Sequence, residues 1–136
     1  VPENDKPLNA DSTSAQSRPA PDVVVVYATF PGRDAALECG RRMIEAGVAG
    51  CVNVLPAMTS VYMWNDALET AEEAVLIAKL AAVGASRAVD FIIAHHPYEV
   101  PAVLVLPVQG GSADYLTWLA AQTAGVGGAD ARSTDP

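Results

Sequence analysis

From Gly50 to Ala81 the chain reads as a long hairpin, two strands around a polar turn, and no other feature limits its fold so tightly. Val52 and Val54 alternate with Cys51 and Asn53, and further on Thr59, Val61 and Met63 alternate with Ser60, Tyr62 and Trp64. Successive side chains of a strand point to opposite faces, so such a stretch must lie in a sheet. Pro56 cannot donate to a ladder and marks a bulge or an edge position. The polar segment Asn65 to Ala71 is the expected turn. Glu73 to Ala81 is the expected return strand, with Val75 and Ile77 on one face and Leu76 and Leu80 on the other. Both faces of this long hairpin carry apolar or aromatic residues, Tyr62, Met63 and Trp64 among them. An exposed patch of that kind predicts a homo-oligomer.

The flanking segments complete a pattern. Val23 to Thr29 is a β-branched run suited to a strand buried on both faces, and Pro31-Gly32 ends it. Ala36, Leu37, Gly40, Met43 and Ile44 fall at helical spacing between Arg33 and Ala46, and Gly47 is placed to close that helix. Gly84 to His95 is a second helical stretch, with Ser86 as its candidate cap. Val103 to Val108 is a further strand, and Ser112 is a good N-cap for a last helix through Thr123. The order β-α-β-β-α-β plus one helix is the ferredoxin-like α+β arrangement: an antiparallel sheet with two helices on one face and the other face bare. The expected domain is 23–124. Residues 1–22 form a Pro-, Asn-, Asp- and Ser-rich zone without apolar periodicity, expected to be a disordered tail, and 125–136 are expected to be a second, flexible one.

Charge removes several function classes. Sixteen acidic against eight basic residues give a formal charge of −8. Nucleic acid needs a basic face and an anionic membrane surface attracts one, so neither is an expected partner. No apolar run approaches a bilayer span, and a cytoplasmic location is expected. The two cysteines, Cys39 and Cys51, do not make a disulfide scaffold. Walker, dinucleotide, zinc-helix and nucleophile-elbow patterns are all missing, so the chain is expected not to be an enzyme.

Chemistry concentrates in His95-His96-Pro97-Tyr98-Glu99-Val100-Pro101, where a helix must give way to a strand. Imidazole is the commonest metal ligand and titrates near neutrality. Two readings of His95 and His96 stand: ligands to a soft divalent metal, or caps that hydrogen-bond the free carbonyls of a helix end. Tyr98 and Glu99 are candidate proton-transfer groups or interface contacts. Lys79, mid-strand among apolar residues, either neutralises an anion or the Glu99 carboxylate, or snorkels at a subunit contact. The acidic cluster Asp66, Glu69, Glu72 and Glu73 reads as a solvated turn.

Several of these stretches together resemble the CutA family of divalent-cation tolerance proteins. They are Gly50-Cys51-Val52-Asn53-Val54-Leu55-Pro56, Thr59 to Trp64, Leu76-Ile77-Ala78-Lys79, His96 to Pro101, Leu106-Pro107-Val108 and Asp114-Tyr115-Leu116-Thr117-Trp118. The resemblance implies a ferredoxin-like protomer in a tight homotrimer and a link to copper and other divalent cations. It carries copper ligation to His95 and His96, whereas the family's cysteine at the end of the first strand falls on Ala28. The family's basic residue after the Trp-Glu-Gly segment and its carboxylate after the second Pro are also missing, since Asn65-Asp66-Ala67 and Ala102 stand there. The leading expectation is a trimeric, non-enzymatic protein of copper tolerance that binds divalent metal weakly and needs no organic cofactor. The alternative is a trimeric scaffold that senses a small ligand or binds a partner, with Lys79, Tyr98 and Glu99 lining an inter-subunit cleft.

Overall fold

In the computed structural model, residues 21–128 are described, with side chains to Thr123. The four strands are β1 (Val23–Phe30), β2 (Cys51–Trp64), β3 (Ala67–Ala81) and β4 (Val103–Val108). The three helices are α1 (Arg33–Glu45), α2 (Ala85–Ala94) and α3 (Ala113–Gly128), and a short 3-10 turn, Ala82–Gly84, precedes α2. The sheet runs β2-β3-β1-β4 and every pairing is antiparallel, which is the ferredoxin-like order. The expected tails fall largely outside the described residues. The backbone of the last helix passes its expected end at Thr123 and runs to Gly128.

Parity along β1 sorts the two sheet faces. Val24, Val26, Ala28 and Phe30 point into the main core with Leu76, Ala78 and Leu80 of β3. They meet Ala36, Cys39 and Met43 of α1 and Ala88 and Ile92 of α2. Helix α1 closes on the expected glycine: Gly47 has φ 71°, its N–H donates to the Ile44 carbonyl, and the Val48 N–H donates to Met43. That pair of bonds satisfies carbonyls a helix end leaves free, and it costs no Cβ strain because the left-handed position is glycine.

The opposite face is not wholly bare. Helix α3 lies across one end of it, packing Leu116 and Leu119 on Val23, with Cys51, Val108, Tyr115 and Trp118 around them. The helix approaches so closely that a Cβ on Gly50 would stand 2.9 Å from Leu119 Cδ1 and 3.1 Å from the Leu119 carbonyl oxygen. Thr123 Oγ1 accepts the Ala81 N–H at 3.1 Å and pins the other end of the contact. Ser112 caps α3 as expected, its hydroxyl accepting the Tyr115 N–H. Helix α2 departs from expectation: its N-cap is Gly84, with no side-chain cap, so Ser86 plays no such part.

The hairpin is longer and tighter than the sequence suggested. Asn65 and Asp66, both at positive φ (51° and 64°), form a two-residue turn, and pairing resumes at once with Trp64 opposite Ala67. Positive φ at both turn positions matches the twist of the strands, and Asn and Asp tolerate it. The expected turn Asn65 to Ala71 is therefore mostly strand. The bulge expected at Pro56 is present: the register shifts between Leu55 and Met58, and Ala57 takes φ 61°. Beyond the bulge the hairpin runs past the end of β1 as a two-stranded ribbon, with Val61, Met63, Trp64 and Leu68 all more than half exposed.

Candidate functional site

The site grows from the end of α2. Ala94 is the last helical residue, and the two imidazoles that follow take up different work. His95 Nδ1–H donates back to the Phe91 carbonyl at 2.8 Å, and the ring stacks on Phe91 at 4.2 Å. This is the helix-end cap among the two readings of the pair. Fixing the proton on Nδ1 leaves the Nε2 lone pair outward on an exposed ring, and among the described residues Nε2 has no partner.

His96 turns the other way. Its Nε2–H donates to the Thr29 carbonyl at 2.7 Å, and its Nδ1 accepts the Tyr98 N–H at 3.0 Å. The ring stacks on buried Phe30 at 4.2 Å and meets the Tyr98 ring at 4.9 Å. Both ring nitrogens are in use, which fixes a neutral imidazole as a bolt between the end of β1 and the 97–102 loop. Thr29 N–H completes the junction by donating to the Ala102 carbonyl.

Tyr98 extends that junction to the hairpin. Its hydroxyl donates to Glu73 Oε2 at 3.1 Å, while Ser60 Oγ donates to Glu73 Oε1 at 2.6 Å. Burial, then the bond to the Glu73 carboxylate, pushes the phenol above its ordinary pKa. Glu73 is thus no part of a solvated acidic turn: it is 9% exposed and accepts two side-chain bonds. Its place on the same strand face as Val75 and Ile77 is the signal that finds it. Glu99 is exposed. Lys79 stands elsewhere, paired in register with Val25 and Cys51, its ammonium 5.5 Å from the Tyr115 ring centroid. Lys79 and Glu73 are separated by roughly 20 Å of strand, so one chain does not bring Lys79 to Tyr98.

An open groove of about 480 Å³ lies between α1 and the end of α2, lined by Ala35, Glu38, Cys39, Arg42, His95 and His96. Arg42 and Glu38 bridge one wall at 2.9 Å, one turn apart. Cys39 is buried, and burial raises its thiol to about 11, against a smaller pull downward from Arg42. Arg42, one helical turn on, is the basic neighbour of Cys39, though burial outweighs it. Ala28 is fully buried on the core face of β1, opposite Leu76 and Val103. Among the described residues no three or more His, Cys, Asp or Glu side chains are grouped to hold a metal. Of the four imidazole nitrogens of the pair, His95 Nε2 is the one without a hydrogen-bond partner among the described residues.

Comparison with known proteins agrees with this architecture. Residues 24–122 match the family model described as CutA1 divalent ion tolerance protein. The divalent-cation tolerance protein CutA of Salmonella newport is 37% identical over 99 residues, spanning 73% of this chain and 86% of that relative. The crystal structure of CutA1 from Oryza sativa superposes with a TM-score of 0.74 at 35% identity, covering 76% of this chain and 95% of that one. The divalent cation tolerance protein of Thermus thermophilus gives 0.71 at 32% identity, covering 74% and 98%. The chain belongs to the CutA1 divalent ion tolerance family.

Proposed function

We propose that this chain works as a non-enzymatic, cytoplasmic homotrimer in copper tolerance or response, binding divalent metal weakly through His95 and His96. The observation that carries the reading is His95: a backbone carbonyl holds the proton on Nδ1, so Nε2 offers its lone pair to solvent. Histidines that ligate metals ordinarily have their second nitrogen held in this way. Trimerisation is favoured by the uncovered sheet face, where Leu55, Leu104 and Leu106 are 55%, 56% and 46% exposed beside the bare hairpin. Among the described residues no helix is long and apolar enough to cross a membrane. The surface charge argues against nucleic acid and anionic membrane as partners.

The test is copper tolerance in cells lacking their own family member and expressing either this chain or its His95→Ala/His96→Gln variant, in which the Gln amide keeps a donor for the Thr29 carbonyl and an acceptor for the Tyr98 N–H. Sedimentation of both proteins checks that assembly is unchanged. Rescue by the chain but not by the variant, at equal mass and abundance, is the expected result; equal rescue overturns the metal assignment.

A second reading has one observation behind it. Lys79 forms no ion pair among the described residues, yet it lies on the sheet face that a trimer would close. A buried cation needs an anion, so a small anionic ligand or a carboxylate at an inter-subunit cleft with Tyr98 and Glu99 is the runner-up. Thermal stabilisation by nucleotides or carboxylates but not by copper favours that scaffold reading.

A further inference from the structure

We infer that Lys79, Tyr115 and Asn53 form a seat for the carboxylate of a small organic acid, on the sheet face beside α3. The inference rests on the anion reading of Lys79 above, and it replaces the distant Tyr98 and Glu99 with groups close to Lys79 in its own chain. Three observations converge on it. Lys79 is half-buried, stands between Val25 and Cys51 in the sheet, and forms no ion pair among the described residues. Its ammonium lies 5.5 Å from the Tyr115 ring centroid, and an aromatic face is a weak partner for a cation drawn out of water. The Tyr115 hydroxyl is itself buried and without a hydrogen-bond partner among the described residues. A charge without an anion and a hydroxyl without an acceptor thus meet at one ring. A buried polar group left unpaired costs free energy, which an entering acceptor recovers.

The donors select the ligand. Asn53 is exposed and pairs in register with Ile77, so it stands diagonal to Lys79 on the same face, within reach of a long side chain. One ammonium, one phenol and one amide match the two oxygens and single charge of a carboxylate. A phosphate brings more acceptor oxygens and more charge than these donors satisfy. The walls beside them are apolar. Trp118 stacks on Tyr115 at 5.7 Å, and exposed Leu106 pairs with Val25 on the side of Lys79 away from Cys51. Such walls suit an aliphatic body on the acid. The Lys79 stem is flexible, so as its ammonium turns to one carboxylate oxygen the Tyr115 hydroxyl is uncovered and donates to the other.

The test titrates the full chain with sodium hexanoate by calorimetry, beside hexanamide, which has the same body without the charge, and beside inorganic phosphate. Hexanoate is expected to bind saturably, one per chain, and the other two are expected to give no saturable heat. Lys79→Met keeps the stem and removes the charge, and it should weaken hexanoate by about tenfold or more. Tyr115→Phe keeps the ring on Trp118 and removes the orphan hydroxyl, and it should weaken hexanoate by about fivefold. The urea midpoint of that variant without ligand should be unchanged or higher, because a hydroxyl that the fold needed would lower it. Sedimentation checks that every variant keeps the mass of the parent. No saturable binding of hexanoate by the parent overturns the inference, as does tighter binding of phosphate or of hexanamide. Undiminished affinity in Tyr115→Phe, with affinity lost in Lys79→Met, would sink this seat while leaving the anion reading of Lys79 standing.

Discussion

Replacing His96 with alanine should destabilise the fold more than the same change at His95, though the two residues are neighbours of one type. His96→Ala deletes the donor to the Thr29 carbonyl at 2.7 Å and the acceptor for the Tyr98 N–H at 3.0 Å. It also removes a ring stacked at 4.2 Å on fully buried Phe30. At about 1 kcal/mol net for each hydrogen bond and about 1 kcal/mol for the ring pair, the loss is about 3 kcal/mol. Tyr98 then loses the anchor that presents its hydroxyl to Glu73, which adds to the cost. His95→Ala removes one hydrogen bond and one ring contact, about 2 kcal/mol at most by the same measures, and exposure of the bond to solvent lowers that. Urea unfolding followed by circular dichroism, at one fixed chain concentration because assembly adds to apparent stability, reads the difference as a shift in midpoint. Equal midpoints for the two variants would refute the claim that His96 is a structural bolt.

Further outcomes follow from other parts of the molecule. Cys39 in the native protein should react slowly with iodoacetamide at neutral pH and faster as pH climbs toward its raised value of about 11. Because the folded pKa lies above the ordinary 9.0, its contribution to stability is full below pH 9 and is lost as pH rises from 9 to 11; a native thiol titrating at the ordinary value contradicts this. Asp66→Gly should stabilise the hairpin by about 0.5 kcal/mol, since Asp66 sits at φ 64° where glycine carries no strain, and a lower urea midpoint would contradict the turn geometry. Gly50→Ala should loosen α3, because the new methyl meets the Leu119 carbonyl oxygen at 3.1 Å; hydrogen exchange in α3 should quicken, and unchanged protection would show that the helix is not held there.

The fold was legible because its strong signals are local. Alternation in β2, the apolar runs of β1 and β4, Gly47 and Ser112 each state their role within a few residues, and each element stands where that role puts it. The errors come from contacts between distant residues. Thr70 and Ala71 look like turn because their neighbours are polar, yet they pair with Val61 and Ser60 once Asn65 and Asp66 complete the reversal. Glu73 looks solvated until Tyr98, remote in sequence, arrives over it. The site was half legible. The His95-His96 pair is conspicuous, but only the Thr29 carbonyl and the Phe91 carbonyl show that the two rings face different ways. That Cys39 shares a groove with His95 is a product of how α1 and α2 pack, and nothing in the local sequence of either residue announces it.

The measurement that tests the central claim most directly is calorimetric copper(II) titration of the full chain beside its His95→Ala/His96→Gln variant, both checked for equal sedimentation and equal urea midpoint. Saturable binding in the chain and none in the variant is the predicted result. The same stoichiometry and affinity in both would contradict the account, and would leave the two histidines as parts of the fold alone.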